Sequence, residues 1–295
     1  MERPTLAYYR SLPKGDLHNH CLLGGRRSVI EKFTGRRMAP FRSGGRGIAD
    51  LNAWIVSELR PLMQLPGGFE KGVEAAFLQA LHDGVTRLEM SIDVTLGALF
   101  GIPATQIIGV LQQAHVTVAP GIVFLPEMGF PRTRSLRSLL AAAEPFFASG
   151  YFRVIDLYDD EEAQSPAAFR ELYRLAGSLG MKRKAHAGEF GTAESVREAV
   201  EVLELDAVQH GIGAAGSAEV MRWLADRGTV LNTCPTSNVR LKRVSTYKTH
   251  PIRILDDHGV RITVNTDDAL VFGDGVSEQY MKLLRAGIFS PGGID

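Results

Sequence analysis

Short apolar segments alternate with longer amphipathic ones along most of the chain. The short segments have the length of buried strands, and the longer ones place apolar residues at helical spacing, as Ala193, Val196 and Val200 do within 192–203. Alternation of this kind indicates parallel βα units. Eight strands are predicted, at 14–20, 87–92, 116–124, 152–157, 181–186, 207–209, 229–231 and 261–264.

The number and spacing of these units favour a single barrel. Eight βα units in 295 residues match a (β/α)8 TIM barrel, which typically has ~250 residues. The late units repeat at one interval, because 24 residues separate His186 from His210 and 24 separate His210 from Cys234 (210 − 186 and 234 − 210). We therefore predict an α/β fold with a single (β/α)8 barrel domain over residues 1–295.

Residues 21–72 depart from this rhythm, because they are too long for a plain connection between the first strand and the next helix. Gly/Arg-rich pieces flank a predicted helix at 48–62. A long insertion after a barrel strand usually lies over the barrel mouth, so we predict a lid-like insertion here. Residues 233–238 are predicted to form a rigid connecting loop, in which Cys234 is a packed small side chain rather than a nucleophile.

The composition argues against several classes of protein. The chain has 33 basic and 33 acidic residues, and this balance argues against a nucleic-acid partner. Two cysteines are too few for a disulfide framework and fit a reducing compartment. No stretch approaches the ~20 apolar residues of a membrane span, and residues 1–4 lead into no apolar signal region. We therefore predict a cytoplasmic protein without a membrane partner, and a homo-oligomer is compatible with the sequence.

Five polar clusters follow predicted strands, and a parallel barrel gathers its strand ends at one face. They are Asp16-Leu17-His18-Asn19-His20, His186-Ala187-Gly188-Glu189, Gln209-His210-Gly211, Cys234-Pro235-Thr236-Ser237-Asn238 and Asn265-Thr266-Asp267-Asp268. His18 and His20 stand two apart on a strand, so their side chains share one face and can bind one Zn²⁺. A chance pair of solvated histidines explains this spacing equally well.

The other clusters each allow two interpretations. Glu189 beside a metal can act as a general acid or base, but it can also serve the following helix as an N-terminal carboxylate. His210 can orient a water or stabilise its developing charge, or it can be a buried histidine bonded to a carbonyl. Asp267 and Asp268 are costly to bury unless one binds a metal and the other a substrate donor, and an N-cap explains only one of them. Together, five clusters at constant spacing favour a functional site.

Read in order, the clusters resemble the motifs of the adenosine deaminase family of the amidohydrolase superfamily. Residues 12–20, Leu-Pro-Lys-Gly-Asp-Leu-His-Asn-His, resemble its opening Leu-Pro-Lys-x-[Glu/Asp]-Leu-His-x-His. Residues 186–189 are identical to its His-Ala-Gly-Glu, and residues 210–211 take the place of its His-Gly. Residues 234–238 and 263–268 are similar to its Cys-Pro-x-Ser-Asn and Thr-[Ile/Val]-[Asn/Ser]-[Thr/Ser]-Asp-Asp segments. The resemblance spans nearly the whole chain.

The resemblance implies a zinc-dependent hydrolytic deaminase of an aminopurine nucleoside or base, such as adenosine or adenine, which attacks with zinc-bound hydroxide and releases ammonia. The ion lowers the pKa of its bound water to ~7. The implied ligands of one Zn²⁺ per chain are His18, His20, His186 and Asp267. Glu189 would protonate the ring nitrogen, His210 would hold and help deprotonate the water, and Asp268 would pair with the purine N7. The predicted substrate-binding residues are Gly188, Asp159 and Asp268.

Two departures from the family pattern concern the substrate. Family members that act on nucleosides usually follow the second histidine with Leu-Asp-Gly, whose aspartate meets the ribose, whereas Cys21-Leu22-Leu23 follows His20 here. The fourth strand usually ends in Asp-Leu-x-Gly-Asp-Glu, and Asp159 stands at the place of that glycine. The sequence therefore favours the reaction of the family and leaves the particular aminopurine open.

Two other functions are weighed against this one. An amidohydrolase with two metals could cleave a cyclic amide or ester, but such sites usually carry a carboxylated lysine where this chain has Asp156-Leu157-Tyr158. A catalytically silent purine-binding protein would not need seven intact site residues. The other zinc deaminases use a Cys-x-x-Cys pair, and the chain lacks that motif.

Overall fold

Eight parallel strands form the wall of a barrel in the computed structural model, which describes residues 4–290. Each strand pairs with the next one in the chain, so the order around the wall is the order along the sequence. The strands are β1 (Lys14–His20), β2 (Val85–Asp93), β3 (Val123–Pro131), β4 (Val154–Tyr158), β5 (Lys182–Ala187), β6 (Ala207–His210), β7 (Val230–Thr233) and β8 (Arg261–Val264). This arrangement confirms the α/β barrel predicted from the sequence.

Helices cover the outside of this wall and fill the long connection after β1. Among residues 4–290 the α-helices are α1 (Leu6–Ser11), α2 (Arg27–Thr34), α3 (Ile48–Trp54), α4 (Arg60–Met63), α5 (Gly68–His82), α6 (Leu96–Phe100), α7 (Ala104–Val118), α8 (Leu136–Ala148), α9 (Arg170–Ser178), α10 (Ala193–Leu203), α11 (Ala218–Arg227), α12 (Pro235–Arg240), α13 (Ile252–Asp257), α14 (Ala269–Phe272) and α15 (Val276–Arg285). A π-helix, Ile55–Leu59, joins α3 to α4. None of the helices described combines the length and the apolar character that a bilayer crossing requires.

Local signals explain why the late βα units form where the sequence places them. The Thr192 side chain accepts a hydrogen bond from the Ser195 N–H at the start of α10, and Ser217 caps α11 in the same way. Gly228 ends α11 in the left-handed conformation that glycine adopts without strain. The apolar faces of both helices then pack on the sheet, with Val196 and Val220 completely buried.

Two sequence predictions of local structure are wrong. The third strand, predicted at 116–124, starts only at Val123, because residues 116–118 complete helix α7 and a short turn at 119–122 follows it. Ile107 and Leu111 on that helix are completely buried, and their packing outweighs the β-branched residues near its end. Residues 233–238 are not a loop, because Pro235 occupies the first position of α12, where a proline needs no N–H partner.

The wall is closed between β8 and β1 by residues that follow β8. The Asp267 N–H donates to His18 O at 2.9 Å, and Asn19 and Asp267 form an isolated parallel bridge. The Leu17 N–H donates to Asn265 Oδ1 at 2.7 Å, although the two residues are 248 positions apart. The seam between the first and last strands therefore lies at the carboxyl ends of the strands, where the polar clusters are.

The 21–72 insertion packs as helices against the same end of the barrel. Leu51, Trp54 and Met63 form an apolar cluster with Leu270 and Phe272 of α14. This cluster is separate from the core between the sheet and the outer helices. The insertion is therefore tied to the segment that follows β8, and its helix α3 faces the ends of the strands.

Candidate active site

Three imidazoles and one carboxylate converge at the carboxyl ends of the strands. His18 and His20 come from β1, His186 from β5, and Asp267 follows β8. His18 Nε2 lies 3.1 Å from His186 Nε2, and Asp267 Oδ1 lies 3.6 Å from His18 Nε2 and 3.3 Å from His20 Nε2. Two ligand atoms on a tetrahedral zinc ion are about 3.3 Å apart, so this spacing fits such an ion.

Hydrogen-bond contacts at Nδ1 orient two of these rings, those of His18 and His186. His18 Nδ1 lies 3.2 Å from the Asn232 carbonyl oxygen, and His186 Nδ1 lies 3.2 Å from Asp156 Oδ1. A ring that donates from Nδ1 keeps its Nε2 lone pair free for a metal. Burial lowers the pKa of His18 to about 3, which favours the neutral, metal-binding form. Two such lone pairs facing each other repel unless a cation lies between them, so the donor set fits a bound metal.

The neighbouring aspartates at the end of β8 differ in their charge. Burial by itself would raise the pKa of Asp267, but the hydrogen bond from His20 and the nearby His18 and His210 rings hold it well below its usual range. Burial raises the pKa of Asp268 well above its usual range, and the charge of Asp267 raises it further. Among the described residues Asp268 Oδ1 has no hydrogen-bond partner. Asp267 is therefore an ionised ligand candidate, and Asp268 is a buried carboxyl whose raised pKa favours the neutral form and whose Oδ1 is free to pair with a substrate.

Glu189 stands on a tight turn after β5. Gly188 adopts a φ of +69°, and a Cβ there would lie 2.3 Å from Val196 Cγ2, so the turn requires glycine. The Glu161 carboxylate, from the loop after β4, accepts hydrogen bonds from the N–H groups of Gly188, Glu189 and Phe190 at 2.7, 2.8 and 3.1 Å. One carboxylate therefore fixes the backbone that carries Glu189.

The surroundings of the Glu189 side chain favour its protonated form. Burial raises its pKa well above the usual range, and the charges of Asp267 and Glu161 raise it further. Its Oε2 lies 3.5 Å from His210 Nε2. A neutral carboxyl in this position can donate a proton, which is what the general-acid interpretation of Glu189 requires.

His210 ends β6 with a φ of +62° and is almost completely buried. Burial lowers its pKa well below the usual value, and the neighbouring His18 lowers it further, so the ring is neutral. Asn238, on α12, donates through Nδ2 to His210 Nδ1 at 3.2 Å and to Glu189 Oε1 at 3.4 Å. Asn238 therefore links the two groups predicted to move or hold protons.

A narrow cavity of about 60 Å³ lies above these residues and opens into a wide groove of about 750 Å³. Ile48, Leu51 and Ile55 of the insertion form the apolar wall of the cavity. The two spaces share the residues His20, Leu23, Asn52, Ile55, Tyr158 and Asp159. The cavity therefore offers one apolar face, one polar face and an exit toward the groove.

Asp159 lies where the cavity meets the groove and joins the insertion to the barrel. Its Oδ1 accepts a hydrogen bond from Asn52 Nδ2 at 3.0 Å, and its Oδ2 accepts one from Thr133 Oγ1 at 2.5 Å. Its φ is +81°, a conformation that glycine adopts more easily. The Asp159 carboxylate thus contacts both helix α3 and the loop after β3.

The structure brings together the seven residues predicted as ligands or catalytic groups, and it places Asp159 on the wall of the same cavity. The Gly188 N–H faces Glu161 rather than the cavity. Sequence reasoning missed the supporting roles of Asp156, Glu161 and Asn238. Asp156 on β4 and Glu161 in the loop after it lie on either side of Asp159, and Asn238 is the last residue of the fourth polar cluster. Their closeness to predicted site residues was the signal that could have identified them.

Fold, site and sequence relatives together define a deaminase, which is a hydrolase that acts on C–N bonds. Residues 59–291 match the family model described as adenosine deaminase, and the chain belongs to this family. It is 34% identical to a putative adenosine/adenine deaminase of Treponema pallidum, a match that covers 97% of this chain and 96% of the relative.

Solved structures of similar fold support the same assignment of the barrel. The crystal structure of adenine deaminase from Arthrobacter aurescens superposes with a TM-score of 0.84 at 24% identity, covering 96% of this chain and 90% of that one. A zinc-bound amidohydrolase from Burkholderia ambifaria superposes with a TM-score of 0.78 at 24% identity, covering 97% and 84%. At this identity the two structures establish the shared fold.

Proposed function

We propose that this protein hydrolytically deaminates an aminopurine base or nucleoside, with one Zn²⁺ per chain. The observation that carries the proposal is the pairing of a metal-type donor set with a neutral carboxyl, Glu189, beside one cavity. A relative named adenosine/adenine deaminase and a superposing structure named adenine deaminase support the choice of aminopurines.

The proposed ligands of the ion are His18, His20, His186 and Asp267, whose donor atoms face one another. Three imidazole nitrogens and one carboxylate oxygen are ligands that zinc prefers, and the zinc-bound amidohydrolase of the same fold supports this metal. When bound, the ion would act as a Lewis acid that lowers the pKa of water, so that hydroxide is available as a nucleophile at neutral pH.

The protein's own groups perform the proton transfers of the proposed reaction. Glu189 donates its carboxyl proton to the ring nitrogen next to the amino-bearing carbon, which makes that carbon electrophilic. The water oxygen then bonds to this carbon, His210 holds that oxygen from its buried position, and a proton from the water goes to the amino group. The C–N bond breaks and ammonia leaves, the second proton of the water returns to the Glu189 carboxylate, and a ring carbonyl remains.

Substrate orientation is assigned to the cavity walls. Asp268, neutral and unpartnered within residues 4–290, donates a hydrogen bond to N7 of the purine. The flat ring lies against the apolar wall from the insertion, which acts as a lid, and a substituent on the ring extends toward the groove past Leu23 and Asp159. Substrate contacts by Asp159 and Gly188 stay predictions.

An ammonia-release assay across adenine, adenosine and modified adenines tests the proposal on zinc-loaded protein. We expect turnover of at least one aminopurine, about one zinc per chain, and loss of turnover after the metal is removed by a chelator. No ammonia from any aminopurine, with zinc bound, would contradict the proposed reaction. A metal content near two per chain would instead favour a two-metal amidohydrolase.

A further inference from the structure

A chain of hydrogen bonds runs from the backbone of α13 to His210. It begins at the Ile252 N–H, which donates to His250 Nδ1 at 3.1 Å. His250 Nε2 lies 3.1 Å from Asn238 Oδ1, and Asn238 Nδ2 lies 3.2 Å from His210 Nδ1. The Ile252 N–H can only donate, so it fixes the direction of every bond that follows.

His250 is the first ring whose protonation this direction decides. Its Nδ1 accepts from a backbone N–H, so the proton of the neutral ring must be on Nε2. The ring is 3% exposed, and burial lowers its pKa to about 4, so it is neutral at pH 7. His250 Nε2–H therefore donates, and the atom of Asn238 that faces it must be the carbonyl oxygen.

The orientation of the Asn238 amide follows from this contact. Its oxygen accepts from His250, so its Nδ2 is the atom that faces His210 Nδ1 and Glu189 Oε1. Among the described residues His250 is the one hydrogen-bond partner of Asn238 Oδ1. Without His250, the amide could turn over, and its oxygen would then accept a hydrogen bond from His210 Nδ1–H instead.

We propose that His250 is a positioning residue that sets the tautomer of His210, so that His210 presents Nε2–H to the active-site cavity. The surroundings of Nε2 agree, because Asp267 Oδ2, a carboxylate oxygen that accepts hydrogen bonds, lies 3.9 Å away. The inference rests on the proposed function for its consequence. A neutral His210 with Nε2–H donates a hydrogen bond to the attacking oxygen and cannot take a proton from the water.

The tautomer can be measured directly in zinc-loaded protein labelled with ¹⁵N-histidine. We expect the His210 resonances, assigned with a His210 variant, to show a protonated Nε2 and an unprotonated Nδ1. His250→Phe removes the donor to Asn238, and we expect the His210 signals to shift toward a mixture of tautomers. We also expect kcat to fall about 10–100-fold, the size of effect that supporting residues of metal sites have, with KM and zinc content unchanged.

His258 provides a matched control, since it is an exposed histidine at the end of α13. His258→Phe should leave the His210 signals and kcat unchanged. Asn238→Asp is a second variant, in case His250→Phe does not fold. A carboxylate there accepts from both neighbours, so His210 should carry its proton on Nδ1 and kcat should fall.

Three results would overturn the inference. They are an unprotonated Nε2 in the wild type, unchanged His210 signals in a folded His250→Phe protein, and an Nε2-protonated His210 in Asn238→Asp. If no aminopurine is deaminated, the proposed function fails, but the resonances still decide whether His250 sets the tautomer.

Discussion

At the scale of single residues, backbone strain is concentrated at the candidate site. Five non-glycine residues among those described have positive φ, and Asp159, His210 and Asp267 are three of them. Each stands at or just after the end of a strand, where a side chain must leave the wall and point into the mouth. Such conformations cost of order 1–3 kcal/mol each, and surrounding contacts must hold them in place. The site is therefore built by residues that the neighbouring loops constrain.

The role of Glu189 can be tested with a substitution that keeps its shape. Glu189→Gln cannot donate a carboxyl proton, so we expect kcat for the deamination to fall about 10²–10⁴-fold while zinc remains bound. Steady-state kinetics and metal analysis measure the two quantities. Glu194→Gln, at the exposed start of α10, is the control for a carboxylate that only serves the helix. Equal kcat values in the wild type and in Glu189→Gln would show that Glu189 is not the proton donor of the reaction.

The lowered pKa of the buried His250 predicts how the free energy of unfolding changes with pH. Its folded pKa of about 4 lies below the unfolded value of about 6.5, so its contribution is complete above about pH 6.5 and is lost as the pH falls toward 4. We expect the wild type to lose about 2 kcal/mol more unfolding free energy than His250→Phe between pH 7.5 and pH 5. Urea unfolding of both metal-free proteins at the two pH values measures this difference. An equal loss in both would show that His250 is protonated in the folded state.

At the scale of elements, the turn after β5 is held from two sides with opposite charges. Glu161 accepts its three N–H groups, and Arg243 donates to the Glu189 carbonyl at 3.3 Å while lying over the Phe190 ring. Gly47 of the insertion also approaches Phe190, because a Cβ there would lie 2.7 Å from that ring. The turn is thus fixed by three loops that meet at the mouth.

Removing the charge that holds this turn should slow catalysis without emptying the site. In Glu161→Gln the side-chain amide meets a backbone N–H that needs an acceptor, so we expect Glu189 to shift and kcat to fall about 10²-fold. KM and zinc content should change little. Glu162→Gln, an exposed neighbour, is the matched control and should behave as the wild type. A Glu161→Gln protein with normal kcat would show that the turn does not need this carboxylate.

The elements also show what the sequence can and cannot predict. The sequence predicts the bounds of β1, β5, β6 and β8 to within one residue at each end. At these strands a run of β-forming residues ends in a polar cluster, and the two signals agree. The prediction of the third strand is wrong because the β-branched residues at the end of α7 have a high strand propensity. Their helical conformation is decided by the packing of α7, which the local sequence does not show. The supporting contacts of Asp156, Glu161 and Asn238 depend on which loops become neighbours, and that is a property of the folded barrel.

At the scale of the whole molecule, the candidate metal site spans the seam of the barrel. Its ligand candidates come from β1, from β5 and from the residue pair after β8, and Asp267 itself closes the wall on His18. An ion bound there would connect the first strand, the fifth and the last. Metal binding and barrel closure should therefore be coupled.

This coupling predicts a concentration-dependent effect of zinc on unfolding. An ion at 100 times its Kd stabilises by about 2.7 kcal/mol, which corresponds to a rise in Tm of about 4 °C for a chain of 295 residues. Calorimetry with chelator and after zinc is restored should show this rise. Asp267→Asn, with one ligand charge removed, should show a smaller one. A Tm that does not change with zinc would show that metal binding is not coupled to closure of the barrel.

The seam also sets an order of events while the chain is being made. Synthesis delivers His18, His20 and His186 first, but Asp267 and the bridge to Asn19 come only with the last tenth of the sequence. A nascent chain that stops before β8 carries three ligand candidates on a sheet that is not yet closed, two of them on the edge strand β1 and one on β5. We therefore expect tight zinc capture only after the segment that follows β8 has been made, so that the ion distinguishes chains that contain Asp267 from chains that end before it.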